Sequence, residues 1–349
     1  MGAHGQPDIG GLSEGGGGMK VLFVTQTTAL GPASRLRVYQ FLPALKESGV
    51  QYEVSPAVCD AEYPAHFGGS QLDKVRSLPQ MVLRRRLDLK RMAEFDAVFI
   101  QKKFFPLDAL RWRLTHPRII YDLDDAVFGG ATERILRVSR TTFAGNEFLA
   151  EYARRFARRV LVMPTVVDTR RFTPAKHGSP AATPVVGWIG SRTTLKYLEW
   201  LRPVLESPAG FRVNVVSSEA PSFACAFERW SLEREVAQVQ AMDIGLAPLA
   251  DTEWERGKCG LKTLQHMACG IPVVGSPVGV QREMIERSGG GMLARTLEEW
   301  REKIRWLTDH PDERETMGER GRAFVEATYS LREWAPRWVE QVLAATRGE

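Results

Sequence analysis

The sequence predicts an α/β protein made of two tandem Rossmann-like domains, and three observations carry this prediction. Short apolar strands alternate with amphipathic helices along residues 20–163, and the same alternation resumes at residue 183. Such alternation is typical of parallel sheets that helices cover on both faces. The chain has 349 residues, of which 44% are hydrophobic, so it is long enough for two buried cores. A proline-rich stretch separates the two halves.

The first half carries six predicted strands. They are expected at residues 20–25, 52–55, 96–101, 118–123, 141–144 and 159–163. The helices between them are expected at 35–47, 71–93 and 131–138 and from residue 146 onward. We expect an N-terminal domain over 19–165. Residues 1–18 contain eight glycines and no apolar core, which predicts a disordered leader or tag.

The second half repeats the alternation after a linker predicted at 166–183. Its strands are expected at residues 183–189, 211–216, 242–247, 271–274 and 291–294. Its helices are expected at 194–205, 230–240, 261–268 and 281–287, followed by three closing helical stretches. We expect the ligand-binding domain to span 184–330 and the helix in 331–349 to pack back on the N-terminal domain. Two facing domains make the cleft between them the expected active site.

Composition and charge exclude several classes of protein. The net charge of +5 is too small to indicate a nucleic-acid partner. The charge is uneven, because residues 1–180 carry +8 and residues 181–349 carry −3, so the first half is suited to an anionic surface or acceptor. Four widely spaced cysteines indicate a reducing, cytoplasmic setting, and six histidines show no metal-ligand spacing. No stretch reads as a membrane span, which leaves a soluble or membrane-surface protein.

The nucleotide motifs narrow the chemistry further. In neither predicted domain is the first strand followed by Gly-x-Gly-x-x-Gly, and no Walker P-loop occurs in the sequence. Hydride transfer and P-loop ATP hydrolysis are therefore disfavoured as activities. The glycine turn at 257–260 enters a predicted helix, whose N-terminus favours an anion. Lys258 and Lys262 lie one helical turn apart and could face the same ligand. This combination indicates a diphosphate site, and the alternative is a solvated lysine pair.

The same segment resembles a known family. Gly260-Leu261 and the run Met-Ala-Cys-Gly-Ile-Pro-Val-Val at 267–274 resemble the donor-binding segment of glycosyltransferase family 4. Residues 164–172, 187–191 and 243–249 resemble, in order, that family's linker entry, second-domain opening and the strand before its donor loop. The resemblance implies a GT-B fold, a nucleotide-sugar donor, retention at the anomeric carbon, and catalysis that needs neither a metal nor a cofactor.

The sequence departs from that family at two positions. The family's two motif glutamates, which touch the donor sugar and the ribose, correspond here to Gly257 and Gln265. Gln265 can still bond a ribose hydroxyl, whereas Gly257 has no side chain, so sugar recognition must differ. The family's Arg and Lys after the opening correspond to Arg192 and, at a shorter spacing, Lys196. The expected donor-binding residues are Arg192, Lys196, Gly257, Lys258, Gly260, Leu261, Lys262 and Gln265.

An acidic cluster follows the fourth predicted strand. Asp122-Leu123-Asp124-Asp125 resembles the metal-binding Asp-x-Asp of GT-A transferases and the nucleophile motif of haloacid-dehalogenase-type phosphatases. In the family 4 subgroup with Gly and Gln in place of the two motif glutamates, which this sequence resembles, the same place faces the acceptor. Capping of the helix at 131–138 is the purely structural alternative. We assign Asp124 and Asp125 the catalytic role, as base or as acceptor-orienting groups. The expected acceptor-side residues are Gly31, Arg35, Arg37 and Asp122.

The sequence therefore predicts a glycosyltransferase that moves a sugar from a nucleotide-diphosphate sugar to an acceptor hydroxyl. The alternatives are a non-catalytic scaffold of the same fold and a sugar-nucleotide epimerase. A basic segment at 84–91 (RRRLDLKR) is suited to anionic lipid or to an anionic, lipid-linked acceptor, the alternative being a solvated helix face.

Overall fold

The fold comes from a computed structural model, which describes residues 18–102, 116, 118–175, 183–207 and 210–348. Of the leader predicted at 1–18 only residue 18 is described, and residues 176–182 of the predicted linker also lie outside the described part. Two six-stranded sheets form the framework, and every strand pair in them is parallel. The predicted doubly wound parallel architecture is thereby confirmed.

The first sheet has the order β2-β1-β3-β4-β5-β6. Its strands are β1 (Lys20–Thr27), β2 (Gln51–Val58), β3 (Ala97–Gln101), β4 (Ile119–Leu123), β5 (Thr141–Ala144) and β6 (Val160–Val162). β3 and β4 are buried along their whole length, as strands covered on both faces must be. The strand order reverses between β1 and β3, where parallel sheets of this kind open a crevice for ligands.

The second sheet has the order β12-β11-β10-β7-β8-β9. Its strands are β7 (Val185–Ile189), β8 (Arg212–Ser217), β9 (Ala226–Arg229), β10 (Ile244–Ala247), β11 (Val273–Gly275) and β12 (Gly291–Leu293). The order reverses between β7 and β10, which places the second crevice at the ends of these two strands. β9 was not predicted, because it is a four-residue edge strand with mostly exposed side chains and lacks an apolar run.

Helices fill the connections between strands. Those of the first half are α1 (Pro32–Arg37), α2 (Leu42–Glu47), α3 (Tyr63–Gly68), α4 (Gln71–Arg91), α5 (Gly130–Val138) and α6 (Glu147–Arg154). Those of the second half are α7 (Leu195–Trp200), α8 (Arg202–Leu205), α9 (Glu235–Gln240), α10 (Glu253–Arg256), α11 (Leu261–Ala268), α12 (Gly279–Ser288), α13 (Leu297–Asp309), α14 (Pro311–Thr328) and α15 (Leu331–Arg347). Within the described residues, no helix combines the length and apolar character needed to cross a bilayer.

Two helices predicted as continuous are broken, and the third begins late. The helix predicted at 35–47 is interrupted by a 3-10 turn at Tyr39–Phe41 before α2 starts, with Pro43 in its first turn. The helix predicted at 194–205 divides into α7 and α8, with Pro203 opening the second. Proline lacks the N–H that a helix interior needs but fits a first turn, so it restarts the helix. The helix predicted at 230–240 begins only at Glu235.

The last helix belongs to the core of the first sheet. Trp338 of α15 stacks on Phe41 with ring centroids 4.9 Å apart and lies 5.8 Å from the ring of Phe23 on β1. Val339, Val342 and Ala345 of α15 are buried in the same cluster. The chain therefore passes between the two halves twice, once after the first sheet and once before α15. An isolated parallel β-bridge between Val167 and Ser330 joins these two connecting segments.

Candidate functional site

The candidate site is centred on the glycine loop 257–260 between α10 and α11. Gly260 adopts a left-handed conformation with φ of +70° and directly precedes α11. This backbone angle favours glycine, and a Cβ atom there would also lie 2.8 Å from the sulfur of Met284. No side chain caps α11, which leaves its first N–H groups for another acceptor. The loop thus offers backbone donors and the positive end of a helix dipole.

Two lysines flank this helix start without an acidic partner. Lys262 lies over the Trp188 ring at 5.4 Å and its Nζ is 3.5 Å from the Thr194 hydroxyl. Lys258 lies over the Trp254 ring at 5.3 Å. Among the described residues, no carboxylate comes within 4 Å of either ammonium group. Burial, together with Lys258, lowers the pKa of Lys262 to about 8. The two ammonium groups repel each other, and a bound anion would offset this repulsion and favour their charged forms.

The other expected donor-binding residues differ from one another in burial and in the groups they contact. Arg192 stands on a 3-10 turn (Arg192–Thr194) just after β7, is exposed, and pairs with Glu219 at 3.2 Å. Because Thr194 contacts Lys262, this turn borders the lysine pair. Lys196 is exposed and its ammonium lies over the Tyr197 ring at 4.9 Å. Gln265 is buried on α11, and Leu261 is half-buried at its first position.

The glycine loop is held against the first domain by close contacts. A Cβ atom at position 257 would lie 2.6 Å from the Cβ of Ala126 and 2.8 Å from its backbone nitrogen. Burial raises the pKa of the Cys259 thiol to about 12, so it stays protonated and donates to the carbonyl of Asp124 at 3.2 Å. Asn146, the cap of α6, donates to the carbonyls of Gly257 and Lys258, both at 3.1 Å. We call this set of contacts the loop joint.

The loop joint brings the acidic cluster to the donor loop. Asp124 is 8% exposed, and its Oδ1 has no hydrogen-bond partner and lies 3.9 Å from the ammonium of Lys102. Burial, with the neighbouring carboxylate of Asp125, raises the pKa of Asp124 to about 6 against the opposing effect of Lys102. Asp125 forms an ion pair with Lys102, and both side chains remain 20% exposed. The cluster therefore presents one buried acid and one partly accessible carboxylate-ammonium pair.

Three of the expected acceptor-side residues are engaged within the protein. Arg37 binds both carboxylate oxygens of Asp122 and the carbonyl of Met163, and both charged side chains are buried. This ion pair leaves neither group open to an acceptor. Arg35 donates at 2.7 Å to Glu235 of the second domain, and Arg171 reaches the same carboxylate at 3.3 Å. Arg35 thus connects the two domains in this arrangement.

Gly31 has a local role at the start of α1. A Cβ atom there would lie 2.1 Å from the Thr27 hydroxyl oxygen, so the loop after β1 can turn only with glycine. Among the described residues, no group of three or more His, Cys, Asp or Glu side chains could hold a metal ion.

Sequence reasoning assigned Lys102 to a second basic segment suited to an anionic lipid or acceptor, and it missed the roles of Asn146 and Glu235. Lys102 follows β3 and has a φ of +61°, a conformation that no sequence pattern announces. The sequence predicts that Asn146 caps a helix. It does not predict that the side-chain amide of Asn146 also donates to the carbonyl of Gly257, which is 111 residues away in the sequence. The sequence analysis assigned no individual role to Cys259, although its place inside the glycine loop is a signal that the sequence offers.

Residues 192–340 match the family model described as "Glycosyl transferase-like". This part of the chain is therefore similar to glycosyltransferase-like domains. It contains the glycine loop, both lysines and all of α11. No curated protein matches the sequence.

The described part of the chain shares the GT-B fold of solved glycosyltransferase structures. Sucrose-phosphate synthase from Thermosynechococcus elongatus superposes with a TM-score of 0.70 at 15% identity, covering 94% of this chain and 100% of that one. HepE from Anabaena, solved with UDP-glucose, gives 0.67 at 14% identity over 94% and 100%. WaaG, a glycosyltransferase involved in lipopolysaccharide biosynthesis, gives 0.67 at 12% identity over 92% and 99%. At these identities the likeness concerns the fold.

Proposed function

We propose that this GT-B protein transfers a sugar from a nucleotide-diphosphate sugar to an acceptor hydroxyl, with retention of anomeric configuration and without a metal. The observation that carries the proposal is the uncompensated pair Lys258 and Lys262 at the open N-terminus of α11. A diphosphate carries the negative charge that would balance the two ammonium groups. The loop joint places this site beside the chain segment that contains Asp124 and Asp125.

The two lysines suit the developing charge of the reaction. As the bond from the sugar to the diphosphate breaks, negative charge grows on the leaving phosphate oxygens. Cations that are fixed beforehand stabilise that charge more in the transition state than in the ground state. One well-placed donor in such a site contributes about 3 kcal/mol. Arg192, on the turn beside Lys262, is the expected third cation of the donor site.

Asp124 is suited to handle the acceptor proton. Its pKa of about 6 leaves it ionised at neutral pH yet basic enough to take a proton. Its unpartnered Oδ1 is the atom that an acceptor hydroxyl would donate to. In a front-face retaining mechanism the leaving phosphate can take this proton instead, and Asp124 then only orients the hydroxyl. Gln265 is expected to bond the ribose of the nucleotide.

A thermal-shift panel tests the proposal directly. Because HepE is solved with UDP-glucose, UDP and UDP-glucose are the first probes, followed by GDP and dTDP and their sugars. A ligand at 100 times its Kd should stabilise the fold by about 2.7 kcal/mol and raise Tm. We expect at least one nucleotide diphosphate to do so without added magnesium.

The outcome of this panel separates the alternatives. No shift and no turnover with any donor would favour a non-catalytic scaffold. Conversion of the donor sugar without any acceptor would favour an epimerase. Magnesium-dependent release of inorganic phosphate would favour a phosphatase that uses the acidic cluster.

We further propose a cytoplasmic protein that contacts anionic membranes through α4. Arg84 binds Glu62, and Arg85 is fully buried against Asp88, so two of the three consecutive arginines point inward. Most of the exposed residues of α4 instead fall along one helical face. That face, here termed the outer face, consists of Leu72, Val75, Arg76, Pro79, Leu83, Arg86, Leu87 and Lys90. An apolar stripe flanked by cations is the pattern of a helix that lies on a membrane surface.

Vesicle sedimentation tests the outer face. Leu83 and Leu87 are 57% and 49% exposed, so replacing both by Glu should lower binding to anionic vesicles by about 10-fold or more without unfolding the protein. The double change Arg86→Ala and Lys90→Ala should weaken binding in a salt-sensitive way, because each cation contributes about 1 kcal/mol. Val138→Glu, at another exposed apolar position, is the control. Equal sedimentation of all variants would exclude this surface.

A further inference from the structure

We propose that Asp125 and Lys102 of the first domain bind hydroxyl groups of the donor sugar, a task for which glycosyltransferase family 4 uses a glutamate at position 257. This inference rests on the proposed function, because it presupposes that a nucleotide sugar binds at the glycine loop. It assigns Lys102 a binding role and moves Asp125 from acceptor to donor recognition.

Position 257 cannot hold a side chain in this structure. The Cβ that any other residue would bring lies 2.6 Å from the Cβ of Ala126 and 2.8 Å from its backbone nitrogen. Both atoms belong to the chain segment that follows β4, so no side-chain rotation can relieve the contact. The loop joint is also tight at a second point, where a Cβ on Gly145 would lie 2.3 Å from the Cys259 sulfur. The donor loop therefore supplies no carboxylate from this position.

The residue next to the obstruction supplies one. Asp125 directly precedes Ala126, the residue that Gly257 touches, and its carboxylate remains partly accessible. Asp124, on its other side, is more than nine-tenths buried and has an unpartnered Oδ1, so this cluster has an unused acceptor. The loop joint thus excludes a carboxylate at position 257. It also brings the chain segment that carries Asp124 and Asp125 next to that position.

Lys102 gives the site a donor as well as an acceptor. Its backbone N–H donates to the carbonyl of Asp122 at 2.7 Å, and its carbonyl accepts from the Tyr121 hydroxyl at 2.6 Å, which fix its φ of +61°. This conformation directs the ammonium to Asp125. A carboxylate accepts hydrogen bonds and an ammonium donates three, so the pair can bind adjacent sugar hydroxyls, which do both.

The test compares sugar-bearing and sugar-free ligands on the same variants. Isothermal titration with UDP and with UDP-glucose should show that Asp125→Asn and Lys102→Met change UDP affinity by less than about 2-fold. Both should lower UDP-glucose affinity by about 10-fold, as expected for a lost hydrogen bond to a charged group. Asp251→Asn, which alters an exposed carboxylate paired with Arg256, is the matched control. Urea unfolding of each variant shows whether the fold is intact.

Each result decides a different point. If the unaltered protein binds neither these two ligands nor any other member of the thermal-shift panel, the proposed function fails. If it binds UDP but both variants keep full UDP-glucose affinity, the inference is overturned while the donor site stands. If Asp125→Asn lowers kcat with unchanged UDP-glucose affinity, Asp125 serves the acceptor, and the inference is likewise overturned.

Discussion

Replacing Lys262 by Ala should lower kcat/KM for sugar transfer about 100-fold or more and abolish most of the nucleotide-induced thermal shift. Lys262 stands without an acidic partner beside the first turn of α11, so its charge is available to the diphosphate. Loss of one fixed donor to a developing anion typically costs 100- to 1,000-fold in rate. Lys258→Ala should have a similar but smaller effect, because its side chain also packs on the exposed Trp254.

The pH dependence of donor binding checks the same assignment. Burial and Lys258 lower the pKa of Lys262 to about 8, so the ammonium is charged below this pH and loses its proton above it. Affinity for UDP should therefore fall as pH rises through 8, and this fall should disappear in Lys262→Ala. Lys46→Ala, at an exposed lysine on α2, controls for the loss of a positive charge. Full activity in Lys262→Ala would contradict the phosphate assignment.

Replacing Arg37 by Ala should lower the free energy of unfolding by about 3–5 kcal/mol. Arg37 and Asp122 form a buried ion pair, and removing one member leaves the other charge uncompensated in the interior. Urea unfolding of Asp122→Ala should show a loss of similar size for the same reason.

A double variant distinguishes a buried ion pair from general packing. Arg37→Met with Asp122→Leu removes both charges and should recover much of the lost stability, because no unpaired charge remains. Arg76→Ala breaks an exposed pair with Asp73 and should change stability by at most about 0.5 kcal/mol. A loss below about 1 kcal/mol in Arg37→Ala would mean that the pair is not buried as described.

The sequence predicted well what depends on local patterns. The helix at 261–268 has the predicted bounds, because a glycine turn and apolar periodicity mark its start and its buried face. The parallel sheets followed from the β-α alternation. The breaks at Pro43 and Pro203 could have been read from proline chemistry alone and were overlooked.

The candidate site was only partly predictable because its contacts join distant segments. Arg37 and Asp122 were both predicted to face an acceptor, but their 85-residue separation hid the ion pair that occupies them. The close approach of Gly257 to Ala126 depends on how the two domains meet, which no periodicity encodes. The pairing of Lys102 with Asp125 could not be predicted, because it depends on a left-handed backbone angle.

The placement of α15 bears on how the polypeptide matures during translation. Trp338 completes the aromatic stack on Phe23 and Phe41, so the N-terminal sheet lacks part of its apolar cover until the last helix has been synthesised. At 5–20 residues per second the ribosome needs roughly ten to thirty seconds to make the intervening second domain. During that interval the nascent N-terminal sheet exposes the apolar surface that α15 later covers. The second domain can reach its native state before the first. Chaperone dependence is therefore expected for the N-terminal half.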